Sequence, residues 1–308
     1  MYGGKGGLGK TTFSAATAYW LSQQGHRVLV FSVDPQASLS DIFQREIFGK
    51  GPVEIAHNLF AEEIDADRRI REYQDEIRRK ILDMYGLDAV PEEIEDYIKA
   101  TAAEPAMEES AIFDAVVDIV VGQEYDYYIY DLVPLGHALY YLSMASVYDQ
   151  WIAKITGLRE EMEEYAQVAT IMQRKGEREE DQILRELQEI RQRINTSSSI
   201  LTDRQKTAFF FVITPEEMII LDTQKAAQLF AKFQVPIAGY IVNRVIPPEL
   251  EAQEIPAYLR NRLAMQKKYL AEIDQVFGGQ VLSRIPEFER DITGLPMIER
   301  MAQAMFED

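Results

Sequence analysis

The residues best suited to chemistry form a glycine-rich segment near the amino end of the chain. Residues 4–11 fit a pattern of glycine, four residues, glycine, lysine, then serine or threonine. Glycines let successive backbone N–H groups face one anion, and the helix that follows adds the positive end of its dipole. Lys10 is then expected to reach the β- and γ-phosphates of a nucleotide, and the Thr11 hydroxyl to bind Mg²⁺. A glycine-rich turn without a ligand is the alternative, but the helix and apolar strand patterns that follow favour the phosphate loop.

The predicted nucleotide-binding loop is longer than this pattern alone and holds a second lysine, Lys5. Only Met1 and Tyr2 precede the glycines, which is short for the strand that normally supports such a loop. The predicted loop residues are Gly4, Lys5, Gly6, Gly7, Leu8, Gly9, Lys10, Thr11 and Thr12.

Two aspartates follow short apolar runs that have the character of buried parallel strands. Asp34 comes after residues 27–33 (RVLVFSV), and Asp131 comes after residues 127–130 (YYIY). Open α/β sheets bind ligands at the carboxyl ends of their strands, and carboxylates there can hold Mg²⁺. We therefore predict Asp34 and Asp131 beside the phosphates, although either residue alone could simply cap a turn or a helix.

Strand and helix patterns alternate at both ends of the chain, which predicts an α/β fold with a mostly parallel sheet. We expect a three-layer sandwich of the P-loop NTPase type with an inserted all-helical subdomain. The predicted core is residues 1–51, 121–149 and 206–308, and the predicted helical subdomain is residues 52–120 and 150–205. Residues 197–199 (SSS) suggest a linker.

Composition excludes several other kinds of protein. The formal net charge is -19 over 308 residues, which disfavours a nucleic acid or an anionic membrane as partner. The count of Cys is 0, which excludes thiolate zinc sites and iron–sulfur clusters. We see no signal peptide and no apolar run of about 18 residues, so we expect a cytoplasmic protein without direct membrane insertion.

Six segments in order resemble the arsenical pump-driving ATPases and the ATPases that target tail-anchored membrane proteins. The first three are GGKGGLGKTT (3–12), DPQASLSDIF (34–43), which resembles a first switch, and NLFAEEID (58–65), which resembles a signature of the first helical insert. DLVPLGHALYYL, from residue 131, is similar to the second switch. The last two regions, FVITPEEMIILDTQKAAQLF with IVNRVIPP, and QKKYLAEI with IPEFERDITGLPMI, resemble the carboxyl-terminal half. The resemblance covers nearly the whole chain.

This resemblance implies a Mg²⁺-dependent ATPase that binds ATP or ADP and acts as a homodimeric switch. Lys5 matches a lysine that crosses the dimer interface to the partner's nucleotide, and Asp41 matches the aspartate that polarises the attacking water. With Lys10 they are the implied catalytic residues. Thr11, Asp34 and Asp131 are the implied Mg²⁺ ligands. The implied adenine contacts are Asn243, Pro286, Glu287 and Phe288, and the implied hinge of the second switch is Gly136 and His137.

The resemblance further implies an apolar transmembrane client or a membrane partner protein. Methionines 144, 162 and 172 in or beside the second insert would suit a surface that repacks around clients, although we favour ordinary core or helix-hairpin packing for them. Ile183, Leu187, Ile190 and Ile194 form a stripe that fits a packed hairpin better.

The departures from the family pattern leave alternatives open. The first switch has Gln36 and Ala37 in place of alanine and histidine. This makes its sequence more similar to the corresponding loop of the chromosome-partition ATPases. Leu132 and Val133 replace the usual Thr-Ala of the second switch, which leaves a weakly hydrolysing nucleotide switch as a further alternative. Without cysteine, neither the arsenite-binding thiolates nor the zinc clamp of the targeting homodimer can form.

Overall fold

A computed structural model describes most of the chain, with gaps in both predicted inserts. The described residues are 1–34, 36, 38–85, 89–91, 94–96, 105–131, 188, 192, 195, 196 and 198–307. The three methionines and the isoleucine–leucine stripe of the second insert lie outside them.

The described residues form strands and helices that alternate over much of the chain. The strands are β1 (Tyr2–Gly3), β2 (Val28–Ser32), β3 (Val53–Ala56), β4 (Leu59–Glu63), β5 (Tyr127–Asp131), β6 (Phe209–Ile213), β7 (Ile237–Val245) and β8 (Val281–Pro286). The helices are α1 (Lys10–Gln23), α2 (Ser38–Phe43), α3 (Ala66–Tyr85), α4 (Pro105–Gly122), α5 (Glu217–Lys232), α6 (Ala257–Phe277) and α7 (Leu295–Phe306). Among the described residues no helix is both long enough and apolar enough to span a bilayer.

The eight strands form one sheet in the order β3-β4-β2-β5-β1-β6-β7-β8. Every neighbouring pair is parallel except β3 with β4, which is antiparallel. The predicted α/β class with a mostly parallel sheet is confirmed. The carboxyl ends of the parallel strands consequently lie along one edge, where the glycine-rich loop, Asp34 and Asp131 lie at or just after the ends of β1, β2 and β5.

The two-residue strand β1 lies in the centre of this sheet. Although it is short, it holds the glycine-rich loop that follows it in place. Tyr2 pairs in register with Asp131 of β5 and Phe210 of β6. The Tyr2 ring stacks on Phe210 with centroids 5.4 Å apart, and its hydroxyl lies 2.6 Å from that of Thr17 in α1. These contacts fix the start of the glycine-rich loop against both neighbouring strands.

Our prediction of helix from Pro52 onward is wrong for residues 53–63. This stretch forms β3 and β4, and NLFAEEID lies on β4 and the turn after it rather than in a helical insert. Burial alternates along β4, with Leu59, Ala61 and Glu63 buried, which is the two-residue period of a strand. The described helical part of the first insert therefore begins with α3.

The predicted serine linker is also wrong where the structure describes it. Residues 198–202 are helical. The Ser199 hydroxyl donates to the carbonyl of Thr196 (2.7 Å), and the Thr202 hydroxyl donates to that of Ser198 (2.9 Å). Short polar side chains can bond back to the preceding turn in this way, so their composition alone does not identify a linker.

Candidate functional site

The glycine-rich loop joins β1 to α1 and packs tightly against two strands. Gly4 has φ +147°, and a Cβ there would lie 2.6 Å from the Val212 carbonyl oxygen of β6. Gly9 has φ +95°, and a Cβ there would lie 2.8 Å from Nδ2 of Asn243 on β7. By contrast, nothing lies within 4 Å of a Cβ built on Gly6 or Gly7. The ends of the loop are thus fixed by close approach to the sheet, while its middle is open to a ligand.

Asn243 fixes the carboxyl end of the loop. Its side-chain N–H donates to the Leu8 carbonyl at 2.8 Å, and the Leu8 side chain is buried. Directly afterwards, the Phe13 N–H donates to the Gly9 carbonyl at 3.1 Å and begins the α1 hydrogen-bond ladder. The amides at the start of α1 therefore follow the loop directly, an arrangement that binds phosphate.

Lys10 folds back over the loop toward two carboxylates. Its Nζ donates to the Lys5 carbonyl at 3.3 Å. Burial lowers the pKa of Lys10, and the charges of Asp131 and Asp34 oppose that effect. The Lys10 ammonium therefore lies against the glycine-rich loop, where it can pair with phosphate oxygens.

Asp131 ends β5, and Asp34 follows the end of the neighbouring strand β2. The two ends are in register, since Ser32 pairs with Asp131. The Ser14 hydroxyl donates to the buried Asp131 carboxylate at 3.2 Å. Burial raises the pKa of Asp131 to about 6, although the Thr11 hydroxyl, Lys10 and Ser14 work in the opposite direction.

These groups fit Mg²⁺ chemically. Asp34, Asp131 and Thr11 all offer oxygen, which Mg²⁺ prefers, and they lie next to a loop suited to phosphate. The Asp131 carboxylate is buried with partial compensation only, so a cation beside it would offset the cost of its burial.

Asp41 lies in the first turn of α2, the helix that follows Asp34 after a short loop, and its side chain is exposed. Within the described part of the chain its carboxylate makes no hydrogen bond or ion pair with the glycine-rich loop. The structure does bring together the glycine-rich loop, Lys10, Asp34, Asp131 and Asn243. Asp41 stands apart from that group.

Lys5 points away from its own loop toward α5. Its Nζ lies 3.1 Å from Oδ2 of Asp222, and the two side chains are 54% and 41% exposed. Of the two loop lysines, Lys10 therefore turns inward and Lys5 turns outward, and the role of Lys5 at another subunit stays a prediction.

The predicted adenine contacts lie at the ends of β7 and β8. Pro286 ends β8, and the Glu287 N–H donates to the Val245 carbonyl of β7 at 2.9 Å. The Phe288 ring is half-buried beneath the Arg300 guanidinium, 4.9 Å from the ring centroid. Asn243 uses one amide hydrogen on Leu8 and keeps a carbonyl oxygen and a second N–H for a base. Adenine recognition by these residues stays a prediction.

Parts of both switches lie outside the described residues. These are Pro35 and Ala37 of the first switch, and the second switch after Asp131, including Leu132, Val133, Gly136 and His137.

One residue of the site was missed at the level of sequence. Glu63, the last residue of β4, is buried and accepts hydrogen bonds from the start of α2. The signal available was its place at a buried position of an alternating strand, where a carboxylate requires partners.

The central sheet, the glycine-rich loop between β1 and α1, and the two strand-end carboxylates define a P-loop nucleoside triphosphatase. The family model for the anion-transporting ATPases matches residues 1–307, and the chain belongs to this family. As a member of this family the chain is an ATP hydrolase.

Relatives are similar over nearly the whole chain. Two are from Aquifex aeolicus. "Putative arsenical pump-driving ATPase 1" is 32% identical over 100% of this chain and 78% of its own length. The second, numbered 2, is 30% identical over 98% of this chain and 97% of its own. ATPase GET3C of Arabidopsis thaliana is 28% identical over 99% of this chain and 81% of its own.

Proposed function

We propose that the chain hydrolyses ATP with Mg²⁺ as a cytoplasmic homodimer whose nucleotide state controls a helical surface. That surface would bind an apolar transmembrane client or energise a membrane partner protein. The outward position of Lys5, paired with Asp222 at 3.1 Å, is the observation that carries the dimer. An exposed lysine of the phosphate loop that is directed away from its own loop supports the role at a second subunit's nucleotide that the family resemblance implies.

The residues of each nucleotide site have separate roles. The amides of the loop and Lys10 hold the β- and γ-phosphates, and the ends of the loop stay fixed by Val212 and Asn243. Thr11, Asp34 and Asp131 hold Mg²⁺, which would neutralise charge on the phosphate oxygens. Asp41 orients the attacking water, and α2 must approach the phosphates for it to do so. Asn243, Pro286, Glu287 and Phe288 surround the adenine.

The composition of the chain limits both the contacts that can hold the dimer together and the partners that the protein can bind. With no cysteine, the dimer rests on nucleotide and protein contacts without a zinc clamp, and arsenite has no thiolate to bind. The net charge of -19 argues against a nucleic-acid partner. The two Aquifex aeolicus relatives are named as putative arsenical pump-driving ATPases, which supports a membrane partner.

Light scattering with ATP and Mg²⁺ tests the dimer. We expect the parent to reach dimer mass, and Lys5→Ala to reach it only at a higher protein concentration, while its affinity for ADP changes little. Lys225→Ala is the matched control, since it removes an exposed lysine of α5 and should leave the dimer intact. If Lys5→Ala forms an ATP-dependent dimer with the same dimerisation affinity as the parent, the proposed role of Lys5 is ruled out.

A second experiment tests the client separately. A fluorescent apolar transmembrane peptide should be retained by the protein in one nucleotide state and released in the other, while a scrambled polar peptide is not retained. Equal retention with ATP, with ADP and without nucleotide would remove the client from the proposal and leave the ATPase untouched.

A further inference from the structure

A buried carboxylate connects the first switch to the strand beside it. Glu63 is 1% exposed at the end of β4. Its Oε1 accepts the N–H of Leu39 at 2.6 Å and the N–H of Ser40 at 3.1 Å, and its Oε2 accepts the hydroxyl of Ser40. Since a buried carboxylate is costly without partners, these three donors and Glu63 depend on one another.

These bonds fix the helix that carries the proposed water-orienting residue. Leu39 and Ser40 immediately precede Asp41 in the first turn of α2. The Ser40 hydroxyl also accepts the N–H of Ile47 at 3.1 Å, so the loop after α2 is held by the same group. Glu63 therefore sets the position of α2, while in the described part of the chain its carboxylate makes no hydrogen bond to the nucleotide loop or to Asp41.

The same residue is hydrogen-bonded toward the first helix of the insert. Its backbone carbonyl accepts the N–H of Gly49 at 3.0 Å, and the Gly49 carbonyl accepts from the Arg68 guanidinium at 2.8 Å. Arg68 lies in the first turn of α3, where its N–H donates to the carboxylate of Asp65 at 3.0 Å. A continuous path of hydrogen bonds thus runs from α2 through Glu63 and Gly49 to α3.

We propose that Glu63 is a positioning residue that couples the first switch to the helical insert. When α2 moves toward the phosphates, the three bonds to Glu63 transmit that movement to the end of β4 and, through Gly49 and Arg68, to the start of α3. This proposal rests on the proposed switch. It adds the contact through which a change of bound nucleotide would alter the helical insert.

Hydrogen exchange of the nucleotide-free protein tests the anchoring step. In Glu63→Ala the amides of Leu39 and Ser40 lose their acceptor, so they should exchange about tenfold faster, while amides of α6 are unchanged. Glu63→Gln keeps one oxygen for these amides and should restore most of the protection. Glu54→Ala on the neighbouring β3 is the matched control and should leave α2 at parental exchange. Parental exchange at Leu39 and Ser40 in Glu63→Ala would overturn the proposal.

Kinetics and exchange with nucleotide test the coupling. We expect kcat for ATP hydrolysis to fall about tenfold in Glu63→Ala, with KM changed little, because the loop that binds ATP is intact. In the parent, ATP with Mg²⁺ should alter exchange in the first turn of α3, and this response should vanish in Glu63→Ala and return in Glu63→Gln. A parental response of α3 in Glu63→Ala would overturn the coupling. If the parent itself shows no ATP response, the proposed switch fails, whereas the anchoring of α2 is judged by the nucleotide-free experiment alone.

If Glu63→Ala does not fold, Ser40→Ala serves instead, since it removes the hydroxyl bonds to Glu63 and Ile47 and leaves the backbone bonds. It should increase exchange at Ile47 and lower kcat in the same direction, by a smaller factor. A parental kcat together with parental exchange at Ile47 would contradict the proposal.

Discussion

The ammonium of Lys5 lies 3.1 Å from the carboxylate of Asp222, so the second lysine of the phosphate loop is paired within its own subunit. Both side chains are about half exposed, and an ion pair of this kind contributes about 0–1 kcal/mol. If Lys5 must reach another subunit, this pair has to break first. The pairing is weak enough to allow that exchange.

Asp222→Asn should therefore favour the active dimer. At protein concentrations below the dimerisation midpoint we expect ATP turnover to rise by up to about fivefold at low salt, with a smaller rise at high salt. Glu217→Gln removes a charge from the same helix without this pair and is the control. A fall in turnover in Asp222→Asn would mean that Asp222 is needed for hydrolysis rather than opposed to it.

The ends of the phosphate loop should not tolerate a side chain. Gly9→Ala places a Cβ 2.8 Å from Nδ2 of Asn243 at a φ of +95°, so we expect it to disturb the Asn243–Leu8 bond and lower the free energy of unfolding by about 2 kcal/mol. Gly6→Ala has open space around its Cβ and should stay within about 0.5 kcal/mol of the parent. Denaturant unfolding without nucleotide measures both, and equal stabilities would refute the tight packing of the loop.

The buried Asp131 should make stability depend on pH in a defined direction. Its folded carboxyl has a pKa of about 6 against an ordinary value of 3.8, so the folded chain binds this proton more tightly than the unfolded chain does. The contribution of this group to stability therefore falls as pH rises from about 4 to about 6 and is constant above that.

Asp131→Asn removes that dependence. Measured without Mg²⁺, its free energy of unfolding should exceed that of the parent by an amount that grows across this pH window to about 3 kcal/mol. Mg²⁺-dependent hydrolysis should be lost in the same variant. If the free energy of unfolding of Asp131→Asn exceeds that of the parent by the same amount at pH 4 and pH 7, burial does not raise the pKa of this carboxyl.

Short motifs and buried strands were predictable from sequence because local residue types determine them. The glycine pattern placed the phosphate loop, and the apolar runs ending at Asp34 and Asp131 placed two neighbouring strands. The sequence pattern predicts helix where β3 and β4 lie, because charged residues, including Glu62 and Glu63, obscure the two-residue period of these strands. Helix α6 was not predicted. Its buried stripe contains Gln266, whose amide donates to the Ile246 carbonyl at 2.9 Å and accepts the Ile246 N–H at 2.8 Å.

The relationships that matter most for the switch depend on long-range contacts. Lys5 meets Asp222, and Asn243 meets Leu8, across more than 200 residues of sequence, which no local pattern encodes. The role of Glu63 is likewise visible only once β4 lies beside α2. The roles of Asp41 and of the adenine residues still rest on resemblance to the family.

The most direct test of the whole account mixes two inactive variants. Lys5→Ala keeps Asp41, and Asp41→Asn keeps Lys5, so a mixed dimer contains one site with its own Asp41 and a Lys5 supplied by the partner. If Lys5 acts across the dimer, the equimolar mixture should recover about a quarter of the parental ATP turnover at protein concentrations high enough for both variants to dimerise, since about half of the dimers are then mixed and each has one complete site. If the mixture stays as inactive as its two components, Lys5 does not act in trans and the proposed dimeric switch is contradicted.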